Sequence, residues 1–190
     1  MAKQGLMTFL AAGLLISITS PANAEEHCYR GDADSGELEF RGVAEGSRFT
    51  GRFRDFEVRV CVDNNNPESA RIEVTVETGS ATVGNRQGDA ALVDEELFAV
   101  DRYPQAVWTS QAVEPKDDGY LAAGELSLRG VSASQPVQLN FEFNDDGLGL
   151  SGSAEILRLD YGVGQGEFDD PDFIRDRVDL SFDLSLSVDG

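Results

Sequence analysis

Lysine, histidine and cysteine are scarce in this chain. Lys3 and Lys116 are the only lysines in 190 residues, and His27 is the only histidine. One histidine excludes a two-histidine zinc site by count and leaves a Ser-His-Asp or Cys-His arrangement hard to assemble. Basic charge is short as well. Lys and Arg number 15 against 35 Asp and Glu, a net charge of −20. Such a surface repels nucleic acid, whose binding depends on Lys and Arg neutralising phosphates, and it repels anionic lipid headgroups. The bland reading of the acidity is a solvated surface tuned to its medium; the functional one is a specific basic partner. The chain also lacks a low-complexity segment, a domain linker and an internal repeat.

The first 24 residues read as a leader rather than as part of the fold. After Lys3 comes the apolar run GLMTFLAAGLLISI, then Pro21, then ANA ending at Ala24. A basic start, an apolar centre and an A-x-A site form a secretory signal peptide cleaved after Ala24. The run falls short of the ~20 apolar residues of a membrane-spanning helix, so the alternative of an uncleaved anchor is the poorer fit. A lipoprotein fits poorly too, because Glu25, Glu26 and His27 precede Cys28 where small apolar residues belong. The expected mature chain, residues 25–190, is one domain, exported to the periplasm, with no stable membrane insertion. Removing Lys3 and no acid takes its net charge from −20 to −21.

Both cysteines, Cys28 and Cys61, lie in that exported chain. An even count in an oxidising compartment favours a disulfide. The alternative, a redox or metal pair, lacks the C-x-x-C spacing and a second histidine.

Strand signals dominate the rest. In RVDLSFDLSLSVDG, Val178, Leu180, Phe182, Leu184, Leu186 and Val188 alternate with polar residues, the signature of a strand with one buried face. PVQLNFEF, RIEVTVETG and YLAAGELSLRG repeat the pattern. In FTGRFRDFEVRVCVD the apolar phase slips between Phe53 and Phe56, as a bulge or sharp bend would make it. SGELEF, AVWTS and LSGSAEILRLDYG bring the count to about eight strands joined by turn-rich links. GDAALVDEELFAV has helical character, and PDFIRD is a second candidate for a short helix. The pattern predicts an all-β domain and is compatible both with a sandwich and with a closed barrel.

Catalytic signals are weak. Acids are so abundant that any chosen carboxylate pair is expected at the surface, although a glycosidase-type pair is not excluded. DADSGE and DNNNPE lack the glycine and terminal glutamate of a calcium-binding loop. Gly162, Gly164 and Gly166 in GVGQGE follow a strand, yet the segment has neither the Lys-Ser/Thr of a P-loop nor G-x-G-x-x-G spacing. Read in place, it is the end of a strand whose glycines make a bend or admit a close neighbour.

FTGRF, VTVETGSATVGNRQGD, LFAVDRYPQAVWTS, GELSLRGVSASQPVQL and RLDYGVGQGEF, in that order, resemble the YceI family of exported lipocalin-like proteins. The resemblance runs from about Ser35 to Val188 and rests on five motifs in order rather than on one. It implies an extended eight-stranded antiparallel barrel, with one or two short helices near one end, around an apolar tunnel for polyisoprenoid or similar long-chain amphiphiles. The GVGQGE form resembles members encoded with, or fused to, b-type cytochrome membrane domains, which hints at an isoprenoid quinone ligand and a cytochrome partner. The chain departs from the family pattern at Glu45-Gly46, where Gln-Gly is usual, at Phe168, where Trp is common, and in its Cys28/Cys61 pair.

The interior candidates are Phe40, Phe49, Phe56, Trp108, Leu126, Leu128, Leu139, Phe141, Phe143, Ile156, Phe182 and Leu184. Periodicity alone leaves open whether they fill a solid core or line a cavity; the resemblance implies a tunnel. Arg158, Tyr161, Gly164 and Phe168 are candidates for its mouth, and Arg158 either meets a headgroup or pairs with Asp160. The expected function is non-enzymatic binding or carriage of an isoprenoid lipid, with no catalytic residue, metal or cofactor. The competing expectations are an enzyme acting on a lipid in the barrel and a docking partner of a membrane electron-transfer protein.

Overall fold

The computed structural model describes residues 25–189, so the leader expected over residues 1–24 lies outside the described residues. Period-two alternation builds twelve strands: β1 Glu26–Asp32, β2 Gly36–Ala44, β3 Ser47–Phe53, β4 Phe56–Asp63, β5 Asn66–Glu77, β6 Ala81–Thr82, β7 Gln105–Lys116, β8 Gly119–Leu128, β9 Val131–Ser134, β10 Val137–Asn144, β11 Gly147–Leu157 and β12 Arg177–Val188. Among the described residues there is one α-helix, α1, spanning Arg86–Val93. All pairings are antiparallel, and the ring β1-β4-β5-β7-β8-β10-β11-β12 closes where β12 meets β1. The result is a closed eight-stranded lipocalin-like barrel.

The remaining strands extend these eight. β12 pairs with β1 near its C-terminus, Val188 opposite Tyr29, and with β2 further back, Leu180 opposite Phe40. β1 and β2 are thus one long stave broken by a turn. β3 and β4 form a second, bent at Arg54–Asp55, where the apolar phase slips. β9 and β10 both pair with β8 and are broken at Gln135–Pro136. Among the described residues closure leaves no long open sheet edge, and each strand turns its apolar face inward.

The two ends differ. At the end holding the 63–66, 116–119 and 144–147 turns the interior is solid. Val60 and Val62 are 0 % exposed and Leu148 1 %. Phe141 and Phe143 stack at 6.1 Å, with Tyr120 edge-on to Phe141 at 5.5 Å and Tyr29 6.3 Å from Phe143. At this end too, Cys28 and Cys61 stand directly opposite each other on β1 and β4 and are disulfide-bonded. At the other end sit α1, the β2–β3 hairpin and the 158–176 segment.

Helix α1 begins where the Asn85 side chain accepts from the Gly88 N–H at 2.8 Å, an N-cap. Asp89 in its first turn accepts from the Val83 N–H and the Thr82 hydroxyl, which hold its carboxyl below the ordinary value of 3.8. Two expectations are corrected at this end. PDFIRD is a turn, not a helix; Ile174 bridges to Ala44 and Arg175 N–H donates to Val43 O, so pairing with the hairpin takes the backbone groups a helix would use. RLDYG is not the end of a strand either. β11 stops at Leu157, and Arg158–Tyr161 is a 3-10 turn capped by Gly162 at φ 67°.

Candidate functional site

The barrel encloses a cavity of about 900 Å³. Its wall is mostly apolar, and its lower boundary runs at one level around the barrel. Leu139, Leu150, Leu184, Val58 and Ile72 line it, whereas the next inward residues toward the solid end, Phe141, Leu148, Leu186, Val60 and Ala70, do not. At the opposite end the lining includes exposed Glu45, Arg48, Thr50, Asn85 and Gln87 together with Phe168, Phe173 and Ile174. The cavity therefore opens to solvent between α1, the β2–β3 hairpin and the 166–174 segment.

Room for it comes from where the aromatic rings lie. Phe40 is paired across the strands with Gly51, Phe49 with Gly42, and Phe182 with Gly152. A Cβ placed on any of these glycines would strike the facing ring, and one on Gly124 would strike Trp108. Four large rings thus lie over backbone instead of reaching across the lumen.

Of the interior candidates, Phe40, Phe49, Phe56, Trp108, Leu126, Leu128, Leu139, Ile156, Phe182 and Leu184 line the cavity. Phe141 and Phe143 do not. They point inward on β10 as alternation requires, but at the level of the solid end, where they pack on Tyr120 and Tyr29. Arg158 and Phe168 line the mouth side, while Tyr161 and Gly164 stand behind the wall.

Arg158 does not pair with Asp160. Its side chain is buried, 4 % exposed, and its guanidinium donates to three backbone carbonyls: Nε to Arg175 at 3.1 Å, Nη1 to Val163 at 2.8 Å and Nη2 to Ile174 at 2.6 Å. Burial lowers its pKa, and the nearby charges of Asp176 and Asp169 oppose that fall. The group stays charged at any physiological pH. Arg158 thereby ties the end of β11 to the segment that frames the opening. Val163 and Gly164 are both buried, and the backbone N–H groups of Gly164 and Gln165 donate to Glu96 O at 3.0 and 2.8 Å, which fastens the glycine loop to the turn after α1.

Alternation did not single out Gln135, which is 6 % exposed and lines the cavity. Its side-chain amide donates to Glu155 O at 2.9 Å, and its backbone carbonyl accepts from Trp108 Nε1 at 2.9 Å. Tyr161 Oη approaches its side-chain oxygen at 3.5 Å, and burial, with a smaller contribution from Asp160, raises the tyrosine pKa. The Gln-Pro pair that breaks the β9–β10 stave was the signal available for it. Thr78, 1 % exposed, also lines the cavity, its hydroxyl donating to the carbonyls of Tyr103 and Pro104. The buried polar side chains of the wall, Arg158, Gln135 and Thr78, are engaged with backbone.

An antiparallel eight-stranded barrel around an apolar cavity open at one end is the architecture of lipocalin-like binding proteins. Within that class the chain belongs to the YceI family, for the YceI-like domain matches residues 29–186. A UPF0312 protein of Pectobacterium atrosepticum is 33% identical over 141 residues, 74% of this chain and 72% of that protein. Protein YceI of Salmonella arizonae is 31% identical over 146 residues, 76% of this chain and 75% of the relative. Among solved structures, Burkholderia cenocepacia BcnA superposes with a TM-score of 0.75 at 23% identity, covering 80% of this chain and 97% of that one. A polyisoprenoid binding domain from Saccharophagus degradans gives a TM-score of 0.63 at 15% identity, covering 85% of this chain and 98% of that one.

Proposed function

We propose that this protein is a non-enzymatic binding or carrier protein for isoprenoid lipids, a polyprenyl chain or an isoprenoid quinone, acting after export to the periplasm. The observation that carries the reading is the cavity of about 900 Å³, apolar-walled and open at one end. Burying apolar chain there is worth about 0.8 kcal/mol per CH₂, less the cost of ordering a flexible tail. The wall's buried polar groups, Arg158, Gln135 and Thr78, hold backbone carbonyls, which suits a container better than a reaction centre. Family membership and the likeness to a domain described as polyisoprenoid binding support the same ligand class. Native mass spectrometry of protein purified from its host, or incubated with isoprenoid lipids, is expected to show one long-chain ligand per chain. Repeated ligand-free spectra, with no affinity for isoprenoids or fatty acids, would sink the reading.

A second reading adds a partner. Exposed Glu167, Asp169, Asp170 and Asp172 stand on the segment beside the opening. On this reading they dock the mouth against a basic surface of a membrane b-type cytochrome, so that ligand passes between the two. Such a complex weakens steeply with salt. Salt-insensitive association, or none at low salt, would rule it out.

A further inference from the structure

We infer that the solid end of the barrel is a capacity stop, with Phe141 and the level it belongs to fixing how much of an isoprenoid tail the cavity accepts. The inference rests on the lipid-binding reading above. Its evidence is the level boundary around the lumen. On β10 the wall passes from Leu139, which lines the cavity, to Phe141, which does not; on β11 it passes from Leu150 to Leu148. β12 and β4 change over at the same height, at Leu184 and Val58.

Below that level the side chains of the described residues pack on one another. Val60 is 0 % exposed and Leu186 2 %, and the Phe141–Phe143 stack closes the space between β10 and Tyr29. From Val178 to Leu184 the wall of β12 is six residue steps deep. That is about 20 Å of strand, or about 15 Å along an axis to which strands tilt by about 40°. A tail can fold back within the lumen, but any length beyond the cavity volume stays in water at the mouth. Each added CH₂ that enters strengthens binding about fourfold; each one left outside adds nothing.

The test is a series of prenyl alcohols of rising length, farnesol, geranylgeraniol and solanesol, titrated against the purified protein and read by native mass spectrometry and competition for one fluorescent fatty acid. Affinity is expected to climb by at least about tenfold per isoprene unit, then level off. Phe141→Ala removes part of the stop and moves the plateau to longer alcohols. Leu139→Phe raises the floor and moves it to shorter ones, so a folding defect in the first variant leaves the second to decide. Affinity that rises unbroken through the series, or a plateau that neither folded variant moves, overturns the capacity stop while leaving lipid binding intact. Failure of every alcohol and of the fatty acid to bind overturns the proposed function and this inference with it.

Discussion

Arg158 and Gly164 share one side chain's worth of space. Arg158 Nη1 donates to the Val163 carbonyl at 2.8 Å and lies where a Cβ on Gly164 would stand. Gly164 is also at φ 110°, a conformation L side chains rarely adopt, and its Cβ would come within 2.7 Å of the Phe168 carbonyl. The glycine is the condition for burying the guanidinium.

Gly164→Ala is therefore expected to cost about 2–4 kcal/mol, from strain and displacement of a buried polar group. For a domain of this size that lowers Tm by roughly 5–15 °C. Thermal unfolding followed by circular dichroism checks it. An alanine variant melting with the wild type would show that the arginine has another place to go.

The same loop shows what the sequence made legible and where it stopped. Period-two alternation carried the barrel strands, because burial on one face of a sheet writes itself into every second residue. The phase slip after Phe53 correctly located a bend. β1 was not legible: of its inward positions His27, Tyr29 and Gly31, only Tyr29 is a large apolar residue that is buried. The end of β11 was misread because RLDYG still alternates polar and apolar residues, although its apolar phase has moved from the even positions of Leu150 and Ile156 to Leu159 and Tyr161. The long-range contacts of the Arg158 and Leu159 N–H groups with Asp176 hold it as a 3-10 segment instead. Phe141 and Phe143 show the limit for the site. Alternation gives the face a side chain takes, not its height along the barrel, and height decides whether it lines the cavity or closes it.

Arg158 itself supplies the next prediction. Its fork meets three carbonyls that converge from two chain segments, a geometry one ammonium does not reproduce. Arg158→Lys and Arg158→Met are both expected to lose about 3 kcal/mol, since each leaves buried carbonyls unsatisfied. Urea unfolding midpoints at constant m-value measure this. Full stability in the lysine variant would mean that charge, not the fork, holds the segment.

The disulfide lies at the solid end, away from the opening. Cys28 and Cys61 are 33 residues apart in sequence, so the chain-entropy model assigns the link about 3–4 kcal/mol through the unfolded state. The Cys28→Ser, Cys61→Ser double variant should melt roughly 6–15 °C lower. Because neither residue lines the cavity, lipid affinity measured well below the melt should stay unchanged. A loss of affinity in the folded double variant would show that this end communicates with the lumen.

Trp108 gives a direct readout of the cavity. It is the only tryptophan in the chain; it is 7 % exposed, lines the lumen, and its indole N–H donates to Gln135 O at 2.9 Å. An apolar tail entering the cavity replaces solvent or empty space against the indole ring, so emission should change saturably, at one equivalent of ligand. A lipid adhering to the outer face of the barrel would leave Trp108 untouched. Trp108→Phe should abolish the signal and cost about 1–2 kcal/mol from the unpaired Gln135 carbonyl and lost packing. Native mass spectrometry of that variant should still show the ligand. Bound lipid with unaltered wild-type emission would place the ligand outside the cavity and defeat the assignment of the lumen as the binding site.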